Sequence, residues 1–314
     1  MSFLYSDKWR QSALLGLLVL SLGVSACESA GSGSSGPTAK QAGKVAGSEK
    51  SAAGQKAAKN AAIVTPEGVT LQERFKAPKG FERTAAEPGS FAAFLRGLKL
   101  KPDGSVVHLF DGREKNKPGV YEAVVDIPIG SRDLHQCADA VMLLRAQYLF
   151  DRKQYGKIHF NFVNGFKAEY SKWMNGYRIK MNGNQASWVK NAGADNSQEG
   201  FRKFMDVVFA YAGTLSLEKE LVPVQKSEVK PGDVFIIGGS PGHAVIVVDT
   251  AVNKSTGETL FMLAQSYTPA QETQILANPA NSAQSPWYTL KEGGGLKTPE
   301  WEFGENSLRR FQEN

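Results

Sequence analysis

The hydrophobic pattern divides the chain into three stretches of different character. Near the amino terminus an apolar run from Ala13 to Val24 follows Lys8 and Arg10. This is the layout of an export signal, and the run is too short to hold as a bilayer-spanning helix. From Glu28 to about Val64 large apolar residues almost vanish, and Ser, Gly, Ala, Lys and Gln take over. Such a stretch cannot bury a core and is expected to be a flexible tether. From Thr65 onward apolar periodicity returns without a second low-complexity break, which predicts one globular domain over 65–314.

Within that domain the periods predict both helices and strands. EPGSFAAFLRGLKL predicts a short helix capped by Ser90, while SVVHLF and VYEAVVDIPI predict strands. In RDLHQCADAVMLLRAQYLF, residues Cys137, Ala138, Val141, Leu144, Ala146, Tyr148 and Leu149 recur at helical spacing, with Asp133 as the expected amino-terminal cap. KIHFNFV predicts a strand, and Phe201, Phe204, Val208 and Tyr211 mark one face of a helix from Ser197 to Ala212. The last third changes period: GDVFIIGG, HAVIVVDT and TLFMLAQSY are β-branched or aromatic runs separated by the turn chemistries SPG and NKSTG. Helices ahead of an antiparallel meander make the expected fold class α+β.

Charge removes one class of partner. The chain is +6, but the tether holds Lys40, Lys44, Lys50, Lys56 and Lys59 against Glu28 and Glu49. From Thr65 onward 30 basic residues face 28 acidic ones, so the basic isoelectric point gives no ground for nucleic-acid binding. The tether lysines fit an anionic lipid surface or cell-wall polymer better.

The export signal ends in Val24, Ser25, Ala26 and Cys27, which resembles the lipobox of bacterial lipoproteins. That resemblance implies removal of residues 1–26, acylation of Cys27 and a lasting lipid anchor in the membrane with no crossing helix. Glu28, where some lipoproteins carry Asp, favours by analogy with Gram-negative sorting the outer membrane, with the domain facing the periplasm. The alternative is an ordinary secretory signal with a spare cysteine.

The domain then keeps one cysteine, Cys137, so it has no disulfide framework. Cys137 falls in the first turn of the most strongly predicted helix, where the dipole and free backbone amides lower a thiol's pKa. A nucleophilic thiol also needs a base, and His243 opens a strand just after a Pro-Gly turn. A third group must orient the imidazole. Asp249 lies six residues further along the same strand, about 20 Å away at roughly 3.3 Å per residue, and is too far. If HAVIVVDT and TLFMLAQSY form a hairpin around 253–257, the returning strand delivers Gln265 or Ser266 beside His243. Register decides between them, and Gln265, whose amide oxygen can accept the imidazole proton, is the preferred choice.

The order of QCADAVM, KPGDVFIIGGSPGHAVIVVD and a polar residue on the next strand resembles the papain-like cell-wall hydrolases, namely the NlpC-like and CHAP (cysteine, histidine-dependent amidohydrolase/peptidase) domains. The resemblance covers about fifty residues. It implies a papain-like core in which the nucleophile-bearing helix packs on an antiparallel sheet. It also implies an amide-cleaving thiol hydrolase, with peptidoglycan peptide as candidate substrate. Two positions depart from the pattern: Gln136 and Ala138 flank Cys137 where the NlpC-like domains usually carry Asp before and Ser-Gly after. Across the whole domain, from RFKAPKGFERT to LAQSYTPAQETQIL, the chain also resembles a bacterial family known as domain of unknown function 4846, a membership that names no activity.

In the hydrolase reading Cys137 attacks, His243 shuttles the proton and Gln265 orients it. The Cys137 amide and a neighbouring donor such as Gln136 stabilise the oxyanion. Ser266, Trp173 and Tyr177 are candidate binding residues, the aromatics as the floor of a groove, although buried packing accounts for Trp173 and Tyr177 equally well. A lone cysteine on an amphipathic helix is more often a small buried filler. The rival readings are therefore a non-catalytic binding or scaffolding lipoprotein using the same cleft, and a structural envelope protein with Cys137 buried. Asp233 fits a turn, and Asp139 and Arg145 fit solvated or salt-bridged positions. His108, His135 and His159 have no metal-ligand spacing, and KEGGGLKTP lacks the Lys-Ser or Lys-Thr pair of a phosphate loop, so no metal or cofactor is implied. The sequence carries no signal of oligomeric state.

Overall fold

The computed structural model describes residues 63–290 and 293–312. The export segment, Cys27 and the tether as far as Ala62 lie outside the described residues. In chain order the helices are α1 (Leu71–Arg74), α2 (Phe91–Arg96), α3 (Cys137–Asp151), α4 (Tyr170–Met174), α5 (Gln198–Tyr211) and α6 (Thr214–Glu220). The strands are β1 (Glu82–Arg83), β2 (Tyr121–Val124), β3 (His159–Asn161), β4 (Lys167–Glu169), β5 (Tyr177–Asn182), β6 (Gln185–Lys190) and β7 (Val222–Pro223). They continue as β8 (Val234–Ile237), β9 (His243–Val252), β10 (Thr259–Gln265), β11 (Gln274–Leu276), β12 (Tyr288–Thr289), β13 (Leu296–Lys297), β14 (Glu302–Phe303) and β15 (Leu308–Arg310).

An antiparallel sheet in the order β2-β11-β10-β9-β8-β15-β7 forms the centre of the fold, with β1 added to β9 and β12 to β10. The protein is thus α+β. Pairs β3-β4, β5-β6 and β13-β14 stand off the main sheet. Strand β9 has no polar alternation because both of its faces are covered. Ala244, Ile246 and Val248 join the core that includes α3, whereas Val245 and Val247 join Phe235, Phe261 and Leu263 in a second cluster. That second face is closed by Leu296, Phe303 and Leu308 from the carboxy-terminal segments.

Helix α3 packs on β9 and β10 and touches α2 and α6. Its spacing predicted one apolar face, yet Ala140, Met142 and Leu143 are buried as well as Val141, Leu144 and Leu149. A helix covered on nearly all sides needs little polar surface. Each fully buried Leu, Val or Met there contributes about 1.5–3 kcal/mol relative to exposure. Ser90 caps α2 by accepting from the Ala93 amide at 3.1 Å, and Ser197 caps α5 by accepting from Gly200 at 3.0 Å. The expected cap of α3 moves: Gln136, not Asp133, is the N-cap residue, and Asp139 accepts from the Gln136 amide at 2.9 Å.

Two other boundaries shift. SVVHLF forms no strand; it makes only isolated bridges, His108 with Glu114 and Leu109 with Gln271, with no continuous partner strand beside it. Ile63 is buried and its carbonyl accepts from Lys76, so folded structure starts before the expected Thr65.

Hairpin β9-β10 is formed, and it contains a bulge. Leu260 pairs with Ala251 and Met262 with Asp249, but Leu263 pairs with Val247 and Ala264 with Ile246, leaving Val248 as the extra residue. A one-residue insertion reverses which face the rest of the strand presents. Here it turns His243 to the face away from α3, the face that Gln265 also occupies.

Candidate functional site

The amino end of α3 meets the open end of the hairpin. Cys137 is the first residue of the helix and is partly exposed. The segment leading to it is held by the loop that follows β10. Asp133 accepts from the Ala270 amide at 2.7 Å, and Ser266 donates to the His135 carbonyl at 2.8 Å. Thr268 donates to the Gln136 amide oxygen at 3.1 Å, and the His135 ring bonds Thr273 at 3.0 Å. Because the loop continues directly from Gln265, the same hairpin positions both the thiol and the residue beside the histidine.

Cys137 and His243 line one cleft of about 760 Å3, together with Gln136, Asp139, Gly242 and Tyr267 among others. The amides of Ala244, the residue after His243, and of Ala138 and Cys137 itself donate toward the sulfur. The last two are free because the first turn of a helix has no partner for its N–H groups. Burial and the neighbouring Asp139 nevertheless push the thiol up to about 11.

His243 is buried, with its ring against Tyr267, Trp301 and Phe303 at centroid distances of 5.0, 5.2 and 5.8 Å. Its Nε2 lies 2.9 Å from the Gln265 amide oxygen. The Gln265 amide nitrogen donates to Glu300 at 2.7 Å, and Lys115 and Lys117 pair with Glu300 at 2.6 and 3.3 Å. The carboxylate can only accept, so it fixes which end of the Gln265 amide faces the ring. The amide oxygen then requires a proton on Nε2 and leaves the lone pair on Nδ1, which has no hydrogen-bond partner among the described residues. Burial holds the imidazole down at about 4, against the opposing pull of Gln265 and Glu300, so it is neutral at pH 7. A neutral thiol and a neutral imidazole share the cleft at rest.

Against this geometry, the family model described as domain of unknown function (4846) matches residues 71–310. The chain belongs to that family. No curated protein and no solved structure matches the chain. The span of this domain of unknown function 4846 holds Cys137, His243, Gln265 and Glu300 alike.

Other sequence candidates fall elsewhere. Ser266 is buried, its hydroxyl proton shared between the carbonyls of His135 and Gln271, so it secures the segment before Cys137 and does not bond His243. Gln136 lines the cleft, but its side-chain nitrogen donates to Asp133 at 3.0 Å. Trp173 is buried, donates to the Gly200 carbonyl at 3.0 Å and lies outside the Cys137 cleft, as does Tyr177. Asp249 is fully buried between Arg83 and Arg96, at 2.6 and 2.5 Å.

Sequence reasoning missed Glu300 and Lys115, which come from irregular segments far from the hairpin and carry no periodic or motif signal. It also took Asp139 for a solvated or paired residue. Asp139 is buried in the cleft wall, its Oδ1 takes no hydrogen bond, and burial pushes its carboxyl up to about 8. Among the described residues no group of three or more His, Cys, Asp or Glu is placed to hold a metal, and no helix is long and apolar enough to cross a membrane.

Proposed function

We propose that this protein is a papain-like thiol hydrolase of the cell envelope, cutting or transferring an amide bond, with a peptidoglycan peptide as candidate substrate. The observation that carries the reading is the 2.9 Å bond between His243 Nε2 and Gln265, which leaves Nδ1 as a base in the cleft that holds the Cys137 sulfur. The Cys137 sulfur attacks the amide carbonyl carbon as its proton passes to Nδ1. The backbone amides at the start of α3 stabilise the oxyanion. Collapse breaks the C–N bond, the imidazolium returns its proton to the leaving amine, and water or a second amine releases the acyl group from sulfur.

Alkylation of the full chain by iodoacetamide at pH 8 tests the pair. Cys137 is expected to react at least about tenfold faster in the wild type than in His243→Ala, a factor of ten corresponding to about 1.4 kcal/mol of barrier. Equal, slow alkylation would remove the hydrolase reading and favour a binding lipoprotein on the same fold. The envelope location rests on Val24 to Cys27 and the apolar run before them. Metabolic labelling with a radioactive fatty acid is expected to mark the wild type and not Cys27→Ala, and a labelled alanine variant would sink the anchor.

A further inference from the structure

The cleft does not end at the thiol. Leu134 lines it and also an adjoining pocket of about 250 Å3, while Ala210 lines it and another of about 450 Å3. These two pockets share Arg132 and Asp206, so the three depressions adjoin through common wall residues and are taken together as one groove with an extension. Its two parts differ in charge. Near the sulfur the ionisable carboxyls are Asp133 and Asp139, and no Lys or Arg lines that part. The extension is lined by Arg132, Arg178, Arg202 and Lys203 against one carboxylate, Asp206.

Those cations are only partly neutralised. Arg132 and Arg202 divide Asp206 between them at 2.6 and 2.9 Å, and Lys203 pairs with the exposed Glu199 at 2.7 Å. Arg178 lies 4.2 Å above the Trp173 ring and gives one nitrogen to the Trp173 and Tyr177 carbonyls; it makes no direct ion pair, although the Asp195 carboxylate attracts both it and Lys203. The groove is also apolar where it meets solvent: Val163, Tyr211 and Leu215 line it and are 55%, 40% and 39% exposed. Exposed apolar side chains gathered at one groove mark a recognition surface. A row of cations beside them selects for anions.

We infer that this extension takes the carboxylate-bearing part of a peptide substrate whose scissile amide lies at Cys137. The inference rests on the hydrolase reading. A peptide matches both properties of the groove, because it supplies apolar side chains for Val163, Tyr211 and Leu215 as well as carboxylates for the cations. A phosphate polymer supplies charge alone.

The test uses the full-length Cys137→Ala chain and fluorescein-labelled ten-residue peptides that alternate alanine with glutamate, glutamine or lysine, read by fluorescence anisotropy. The glutamate peptide is expected to bind at least about tenfold more tightly than the glutamine peptide at low salt, with the advantage shrinking as salt rises. Arg132→Glu with Lys203→Glu should abolish that preference. Both side chains are more than half exposed, so the double variant keeps its core. Equal binding of the three peptides, a glutamate preference that survives the double reversal, or equally strong competition by polyphosphate would each overturn the assignment. Iodoacetamide alkylation separates the two claims. A His243-dependent thiol with no glutamate preference defeats the groove assignment alone, and a glutamate preference with an unactivated thiol defeats the hydrolase reading alone.

Discussion

Strand β9 buries a polar side chain near each end, and the two are treated differently. Asp249 is wholly enclosed with both oxygens bonded: Arg83 and Arg96 pair with one each, and its own neighbour Thr250 donates at 2.8 Å. His243 is as deeply buried, yet only one of its nitrogens is bonded, and the other belongs to a ring that lines a cleft. Burial of a polar group is therefore no sign of chemistry by itself. The end of the strand that leaves a lone pair unused is the one that lines the cleft also lined by Cys137.

The widest separation between the two ends is expected in stability. Asp249→Ala leaves two largely buried guanidinium groups without a carboxylate and should cost about 3–5 kcal/mol in denaturant unfolding. The ratio of alkylation rates between wild type and His243→Ala should persist when both are measured in an Asp249→Ala background that remains folded. A loss under about 1 kcal/mol would mean that the ion pairs of Asp249 contribute little, and collapse of that ratio would mean that the two ends act as one network.

A smaller effect separates them by pH. An imidazole held at about 4 in the folded protein takes its proton more readily in the unfolded chain, where the ordinary value of 6.5 applies. Its contribution is therefore complete above pH 6.5 and declines as pH falls from there toward 4, by about 2 kcal/mol at pH 5. His135, pushed down to about 3 by burial, adds loss in the same direction. The stability advantage of wild type over His243→Asn should thus shrink by about 2 kcal/mol between pH 7 and pH 5, measured by urea unfolding. A constant difference would mean that the ring titrates normally and is not desolvated.

Much of this arrangement was legible before any coordinates. The helix carrying Cys137 stood out because its apolar spacing is long and regular, and the hairpin stood out because β-branched runs flank a clear turn. The preference for Gln265 over Ser266 rested on the chemistry of an acceptor, while the geometry rests on the bulge at Val248, for which the sequence has no marker. SVVHLF has strand composition but no continuous partner, and β pairing is a property of neighbours. Asp133 looked like a cap because it precedes the helix, but it accepts from Ala270 in a loop more than a hundred residues away, and the cap falls to Gln136 with Asp139. Glu300 and Lys115 were invisible for the same reason: a contact between irregular segments leaves no period.

The ion-paired Glu300 has a consequence beyond the histidine it never touches. By holding the amide nitrogen of Gln265, it selects the imidazole tautomer from outside the cleft wall. A change at Glu300 would thus reach the buried ring only through the Gln265 side chain, leaving the lining of the cleft unaltered.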